Sequence, residues 1–136
     1  MNITISQAQG RVPVTIVHLE GRMDGQNYQE LIAKVQELFN GGARDFLLDL
    51  SDLTYISSAG LVALHSVALL VRGETPPDPQ QGWTAVKAMD RGRRGGPQQH
   101  VKLLNPRPEV SSVLETTGFT QMFEIFAEQG KALQAF

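Results

Sequence analysis

The sequence DLSDLTYISSAGLVALHSVALL, residues 49–70, indicates a β-strand, a short polar turn and an α-helix in direct succession. The apolar run 46–48 leads into the acidic residues of this stretch, and the polar turn covers residues 55–60. Apolar residues then recur at spacings of three and four, as one face of a helix requires: Leu61, Leu64, Ala68 and Val71. These features predict a junction at which a buried strand passes into a helix that presents a serine at its start.

Two adjacent serines, Ser57 and Ser58, lie where the predicted strand becomes the helix. The first N–H groups of a helix have no partner within it, and about half a positive charge resides there, so a phosphate group is well accommodated. One interpretation is that a serine is presented for a functional purpose; the other is that the serines only cap the helix. Asp24, Asp49 and Asp52 are expected at one edge of the sheet, either as site residues or as ordinary turn formers.

The bulk composition is that of one globular domain. A length of 136 residues and a hydrophobic content of 41% suit a single domain covering residues 1–136. There is no apolar run of about 20 residues and no signal-like N-terminus, so we expect no membrane association. The absence of cysteine fits a cytoplasmic protein, and the net charge of -2 gives no general reason to expect direct nucleic-acid binding.

Alternating and helical patterns continue through the rest of the chain. They predict strands at residues 2–6, 12–19, 45–50, 100–104 and 122–126. They predict helices at residues 28–39, 57–71, 107–117 and 128–136. This order predicts an α/β fold with a mixed four- to five-stranded sheet and helices packed mainly on one face.

Residues 72–99 break these patterns. Four of the seven prolines and five glycines fall in this stretch, so we expect a long insertion loop there. Residues 87–102 contain five basic residues against one acidic residue, a local excess of four positive charges. The loop is interpreted either as an insertion without a role or as a docking arm for an acidic partner or a nucleotide phosphate.

Catalytic and metal-binding arrangements are missing from the sequence pattern. Ser58 and His65 are seven residues apart on one predicted helix, or about 10.5 Å along its axis, so they cannot act as nucleophile and base. The glycines of a nucleophile elbow are absent. His18 and His100 are isolated in the sequence and offer no metal-ligand pair. We therefore expect no enzymatic activity, no metal site and no cofactor.

Three stretches resemble the STAS family, which comprises bacterial anti-sigma-factor antagonists and related domains. Residues 49–61 are similar to the strand, Asp-Ser-Ser/Thr-Gly-Leu motif and helix of that family. Residues 21–24 look like its Gly-Glu-Leu-Asp stretch, and residues 114–119 resemble its late helix ending. The resemblance covers nearly the whole chain except residues 72–99 and implies a single STAS-like domain.

The resemblance also implies a function. Alignment on Gly60-Leu61 places the family's phosphorylated serine at Ser58, whereas Ser57 occupies the position of the motif's aspartate. The unphosphorylated domain is expected to bind an anti-sigma factor that is also a serine kinase and so release a sigma factor, and phosphorylation would block this binding. The implied partner-binding residues are Asp24, Asp52, Ser57, Ser58, Ala59, Gly60 and Leu61. A monomer or weak dimer is expected, and the alternative is a STAS-type scaffold or transporter accessory subunit that is never phosphorylated.

Overall fold

A five-stranded mixed sheet organises residues 1–73 and 98–136, which are the residues that the computed structural model describes. The strands are β1 (Asn2–Gln9), β2 (Pro13–Met23), β3 (Phe46–Ile56), β4 (Val101–Leu104) and β5 (Ile125–Phe126). The helices are α1 (Tyr28–Asn40), α2 (Ser58–Val71), α3 (Pro108–Thr116) and α4 (Gln129–Gln134), with a short 3-10 helix at Phe119–Gln121. The predicted insertion at 72–99 lies outside the described residues except for its ends.

The strands lie side by side in the order of the chain. β1 is antiparallel to β2, whereas β2, β3, β4 and β5 are parallel to one another. A parallel pair needs a crossover connection, and α1 and α3 supply helices of this kind between consecutive strands. The prediction of an α/β fold with a mixed sheet is therefore confirmed.

The two faces of the sheet are covered unequally. Val17 and Leu19 of β2 point to the larger core, which includes buried residues of α1, α2 and α3. Val14 and Ile16 of the same strand point to the other face, where a smaller cluster includes Ala132 of α4. Successive side chains of a strand alternate between faces, so one strand serves both cores. The prediction that the helices pack mainly on one face is confirmed.

Helix α2 is enclosed on almost all sides. Eleven of its fourteen residues are buried, and only Ser58, Ala59 and Leu69 are exposed or half-buried. A helix that is apolar around its whole circumference is stable only when it is surrounded, and α1 packs alongside it on the sheet. The accessible part of α2 is therefore mainly its start, at Ser58 and Ala59.

Strands β2 and β3 extend further than the sequence pattern predicted. β2 continues through Gly21 to Met23, and β3 continues to Ile56 instead of ending at residue 50. Gly21 permits the extension because its φ of +103° lies in the left-handed region, where the pairing of the two strands shifts register. The hydroxyl of Thr54 donates to the carbonyl of Gly21 at 3.0 Å. The expected polar turn at residues 55–60 was therefore wrong: strand leads almost directly into helix.

Candidate functional site

Ser57 closes the first turn of α2 as its N-cap. Its Oγ accepts a hydrogen bond from the backbone N–H of Gly60 at 3.3 Å. Its own N–H donates to the carbonyl of Met23 at 3.0 Å, and its carbonyl accepts from the N–H of Leu61 at 3.1 Å. A cap of this kind contributes about 1 kcal/mol. Ser57 therefore fixes the helix start to the end of β2.

Ser58 is the first residue of α2, and it is exposed. Its hydroxyl makes no hydrogen bond to any described residue, because Ser57 supplies the cap. The first turn carries no acidic residue that would repel an added negative charge. Each of the two interpretations of the serines therefore applies to one of them. Ser57 caps the helix, and Ser58 presents its hydroxyl at the positive end of the helix.

Gly60 and Leu61 face inward, so the expectation that they contact a partner does not fit their burial. A Cβ on Gly60 would lie 2.5 Å from Cγ1 of Ile56 and 3.2 Å from Cγ of Met23. Leu61 is only 4% exposed and belongs to the larger core. These two residues set the close approach of α2 to the strand ends. Ala59, which is half-buried, keeps some surface beside Ser58.

Asp24 lies directly after Met23, at the same edge as the start of α2. Its carboxylate accepts a hydrogen bond from the N–H of Gln26 at 3.0 Å, and its N–H donates to Oδ1 of Asn27 at 2.9 Å. The residue is half-buried. Asp24 therefore acts as a turn former in this structure while remaining near Ser57.

Asp52 does not join this edge, which corrects the expected grouping of the three aspartates. Nε2 of His18 lies 2.9 Å from Oδ2 of Asp52, and Nδ1 of His18 lies 3.0 Å from Oδ2 of Asp49. His18 follows Val17 and precedes Leu19, which both face the larger core. The triad of His18, Asp49 and Asp52 therefore lies on the opposite face of the sheet. His18 is therefore not isolated.

Comparison with known proteins identifies the family of this chain. A sequence model of the family described as Mlab, STAS domain matches residues 6–76, just over half of the chain. The chain belongs to the STAS domain family. Anti-sigma-factor antagonists of this family are non-enzymatic regulators, which agrees with the expectation of no enzymatic activity.

Relatives of this STAS domain span nearly its whole length. BtrV of Bordetella bronchiseptica, assigned as an anti-sigma factor antagonist, is 27% identical over all of this chain and 95% of its own. An anti-sigma factor antagonist from Mycobacterium paratuberculosis has a TM-score of 0.68 at 15% identity, covering 98% of this chain and 92% of its own. The Bacillus cell fate determinant SpoIIAA in its phosphorylated form has a TM-score of 0.55 at 16% identity, covering 96% of each chain. The two structures share the fold of this STAS domain.

The His18 triad of the STAS domain has shifted titration behaviour. The hydrogen bond with Asp49 is the main cause that raises the pKa of His18 above its ordinary value, and burial opposes it. Burial alone would raise the pKa of Asp49, but hydrogen bonds from Ser51 and His18 outweigh it and lower that pKa. Oγ and the N–H of Ser51 lie 2.7 and 3.0 Å from Oδ1 of Asp49. Both shifts favour the charged pair of a protonated His18 and an ionised Asp49.

The same face of the STAS domain has one group of potential metal ligands among the described residues. His18, Glu20 and Asp52 can each offer one ligand atom, and these atoms lie within 4.8 Å of one another. Both ring nitrogens of His18 already contact carboxylates, and Glu20 and Asp52 are exposed. We assign the group to charge pairing. No helix in the described ranges combines the length and apolar character that crossing a membrane requires.

Replacing His18 with glutamine is expected to reduce the free energy of unfolding by about 1 kcal/mol, mainly between pH 3.8 and 6.5. Because the pKa of His18 is raised in the folded state, the histidine contributes to the free energy of unfolding. This contribution is complete below the ordinary pKa of 6.5 and is lost as the pH rises through the pKa of the folded state. Because the pKa of Asp49 is lowered in the folded state, the aspartate also contributes to the free energy of unfolding. This contribution is present above the ordinary pKa of 3.8 and is lost as the pH falls through the pKa of the folded state.

Urea unfolding of the wild type and the His18→Gln variant at about pH 5 and about pH 9 measures this difference. Adding Asp52→Asn to His18→Gln provides the control, because the second change should cost little once the histidine is absent. A stability difference that stays constant across this pH range would contradict the assignment of the triad.

Sequence reasoning missed one exposed pair at the junction. The guanidinium of Arg22 lies 4.3 Å from the ring centroid of Tyr55, and the two residues are register partners on β2 and β3. Tyr55 is 40% exposed. The available signal was a large aromatic residue two positions before the capping serine, but it was assigned to a polar turn. Tyr55 lies three positions before Ser58, the first residue of α2.

Proposed function

We propose that this STAS domain is an anti-sigma-factor antagonist that is controlled by phosphorylation of Ser58. The observation that carries the proposal is an exposed serine hydroxyl at the first position of a helix that is otherwise enclosed. Ser57 caps this helix separately, so modification of Ser58 removes no bond that holds the fold. The first turn of α2 and the Asp24 loop form the proposed partner surface.

The relatives support this function. BtrV, which aligns over the full length, is assigned as an anti-sigma factor antagonist. SpoIIAA, which has the same fold, was solved in a phosphorylated form. The proposed partner is an anti-sigma factor that is also a serine kinase. It transfers the γ-phosphoryl group of ATP to Oγ of Ser58, releases ADP and takes up the hydroxyl proton.

A phosphate on Ser58 would act through its charge. It adds about -1.5 to -2 charges at neutral pH, and the helix dipole stabilises an anion there by only about 0.3–2 kcal/mol. In a complex, an uncompensated buried charge costs several kcal/mol, and each 1.4 kcal/mol weakens affinity about tenfold. The cost of burying the phosphate charge in the complex is therefore larger than its stabilisation by the helix dipole. The unmodified domain therefore binds and the phosphorylated domain dissociates without a change of fold.

A second candidate function is a STAS subunit that assembles with partners and is never phosphorylated, as a scaffold or transporter accessory. Ser57 in place of the family aspartate favours it, because the phosphoacceptor lacks the acidic neighbour that a kinase would recognise. The two candidates differ in whether Ser58 ever accepts phosphate.

Incubation with ATP and each anti-sigma factor kinase of the same cell separates the candidates. We expect one phosphate on the wild type, detected by intact mass, and none on a Ser58→Ala variant. Ser57→Ala is the matched control, because it removes the neighbouring hydroxyl and should still accept phosphate. Absence of phosphate with every kinase would favour the non-phosphorylated subunit.

A further inference from the structure

Tyr55 is the one exposed large hydrophobic residue among residues 1–73 and 98–136. We infer that Tyr55, stacked against Arg22, is the apolar anchor through which the proposed anti-sigma factor docks. This inference rests on the proposed function and names a partner contact outside the first turn of α2. Tyrosine and arginine are the side chains that most often dominate the binding energy of protein interfaces, together with tryptophan.

The ring of Tyr55 is held before any partner arrives. Arg22 lies opposite Tyr55 on the adjacent parallel strand, and its guanidinium covers the ring at 4.3 Å. The hydrogen bond from Thr54 to Gly21, at 3.0 Å, ties the two strands together at the preceding positions. An aromatic side chain that is already ordered loses little conformational entropy on binding. The pair is therefore preorganised as a contact.

Tyr55 and Ser58 lie close in the chain at the ends of β2 and β3. Because Ile56 faces the larger core, alternation places the Tyr55 side chain on the opposite face of the sheet, so a partner that contacts both residues must reach around the edge at the strand ends. The two residues are three positions apart in the chain, so their Cα atoms are at most about 11 Å apart. A standard interface buries about 800 Å² per partner, a patch about 30 Å across, and one partner can cover both residues. Ile56, between them, is buried under Gly60, and Ser57 caps the helix, so the backbone between the two contacts is fixed.

The chemistry of the pair defines the partner surface. The ring needs an apolar pocket with a hydrogen-bond partner for its hydroxyl group at the far end. Stacking uses the face of the Arg22 guanidinium and leaves its N–H groups at the edge, where a carboxylate can bind them. The proposed partner therefore presents an apolar pocket with an acidic residue at its rim.

Affinity measurements with the purified anti-sigma factor test this inference. We expect Tyr55→Ala to weaken binding at least about tenfold and Arg22→Ala to weaken it about threefold to tenfold. Tyr55→Phe should weaken it less than Tyr55→Ala, because it keeps the ring and loses only the hydrogen bond of the hydroxyl group. Arg44→Ala is the matched control because Arg44 also stacks on an aromatic ring, Phe39, at 4.1 Å, but near the opposite end of β3. It should leave affinity unchanged. Thermal unfolding of each variant confirms that the fold is intact.

The outcomes separate this inference from the proposed function. Equal binding of the wild type and Tyr55→Ala would overturn the anchor and leave the antagonist function standing. No binding of the wild type to any anti-sigma factor would overturn both. Sedimentation of the free domain identifies a further outcome: if Tyr55→Ala abolishes self-association and leaves partner binding unchanged, Tyr55 contacts a second copy and the inference is wrong. A Tyr55→Lys variant repeats the test with a charged replacement.

Discussion

A Ser58→Asp variant is expected to bind the proposed anti-sigma factor at least about 100-fold more weakly than the wild type. The carboxylate places a negative charge at the centre of the proposed contact, where burial without a counter-charge costs several kcal/mol. The fold should be unaffected, because Ser58 is exposed, makes no hydrogen bond to a described residue and lies at a helix start that favours anions. Calorimetric titration and thermal unfolding measure the two effects.

Ser112→Asp is the matched control for this variant. Ser112 is an exposed serine on helix α3, so the change adds the same charge outside the proposed surface. Ser58→Ala should retain binding, because it removes the phosphoacceptor without adding charge. If Ser58→Asp binds as tightly as Ser112→Asp, the first turn of α2 is not the contact. If Ser58→Asp loses its thermal transition, the charge disrupts the fold, and the proposal that it acts only at the interface is wrong.

A Gly60→Ala variant is expected to lose about 1–3 kcal/mol of the free energy of unfolding. The new methyl group would lie 2.5 Å from Cγ1 of Ile56, a buried residue that packs in the larger core and has little room to shift. A loss of this size is large against a typical total of about 5–15 kcal/mol. The strain also acts on the residues that carry the cap at Ser57. Urea unfolding measures the loss.

A double-mutant cycle with Ile56→Ala tests the stated cause. Ile56→Ala removes Cγ1 and Cδ1, which lie 2.5 and 3.3 Å from the position that a methyl group on residue 60 would take. The two changes together should therefore cost less than the sum of the single changes by about 1 kcal/mol. Gly25→Ala is the control, since nothing lies within 4 Å of its Cβ position. Additive losses would show that the contact with Ile56 is not responsible.

The sheet and its helices could be predicted because each has a local signal. The unbroken apolar run at the start of β3 indicates a strand covered on both faces, and Phe46, Leu47 and Leu48 are all buried. The helical spacing that begins at Leu61 predicted α2, and the structure starts that helix at Ser58. Apolar periodicity carries this information within a window of a few residues.

The site was less accessible to sequence reasoning because its contacts depend on strand register. The pairing of His18 with Asp49 and Asp52 joins residues more than thirty positions apart and requires the register shifts between β2 and β3. The extension of β3 to Ile56 was missed because its polar side chains resemble a turn when the paired strand is unknown. Turn and strand share residue types when one face of the strand is open to solvent.

The enclosure of α2 has a consequence for how a signal would leave this molecule. Apart from the half-buried Leu69, every residue of α2 after Ala59 is buried, so we expect a phosphate at Ser58 to act at the start of the helix and not by moving it. A partner that distinguishes the two forms must then contact Ser58 directly. Removal of the phosphate would then restore the original binding surface at once, with no slow conformational step.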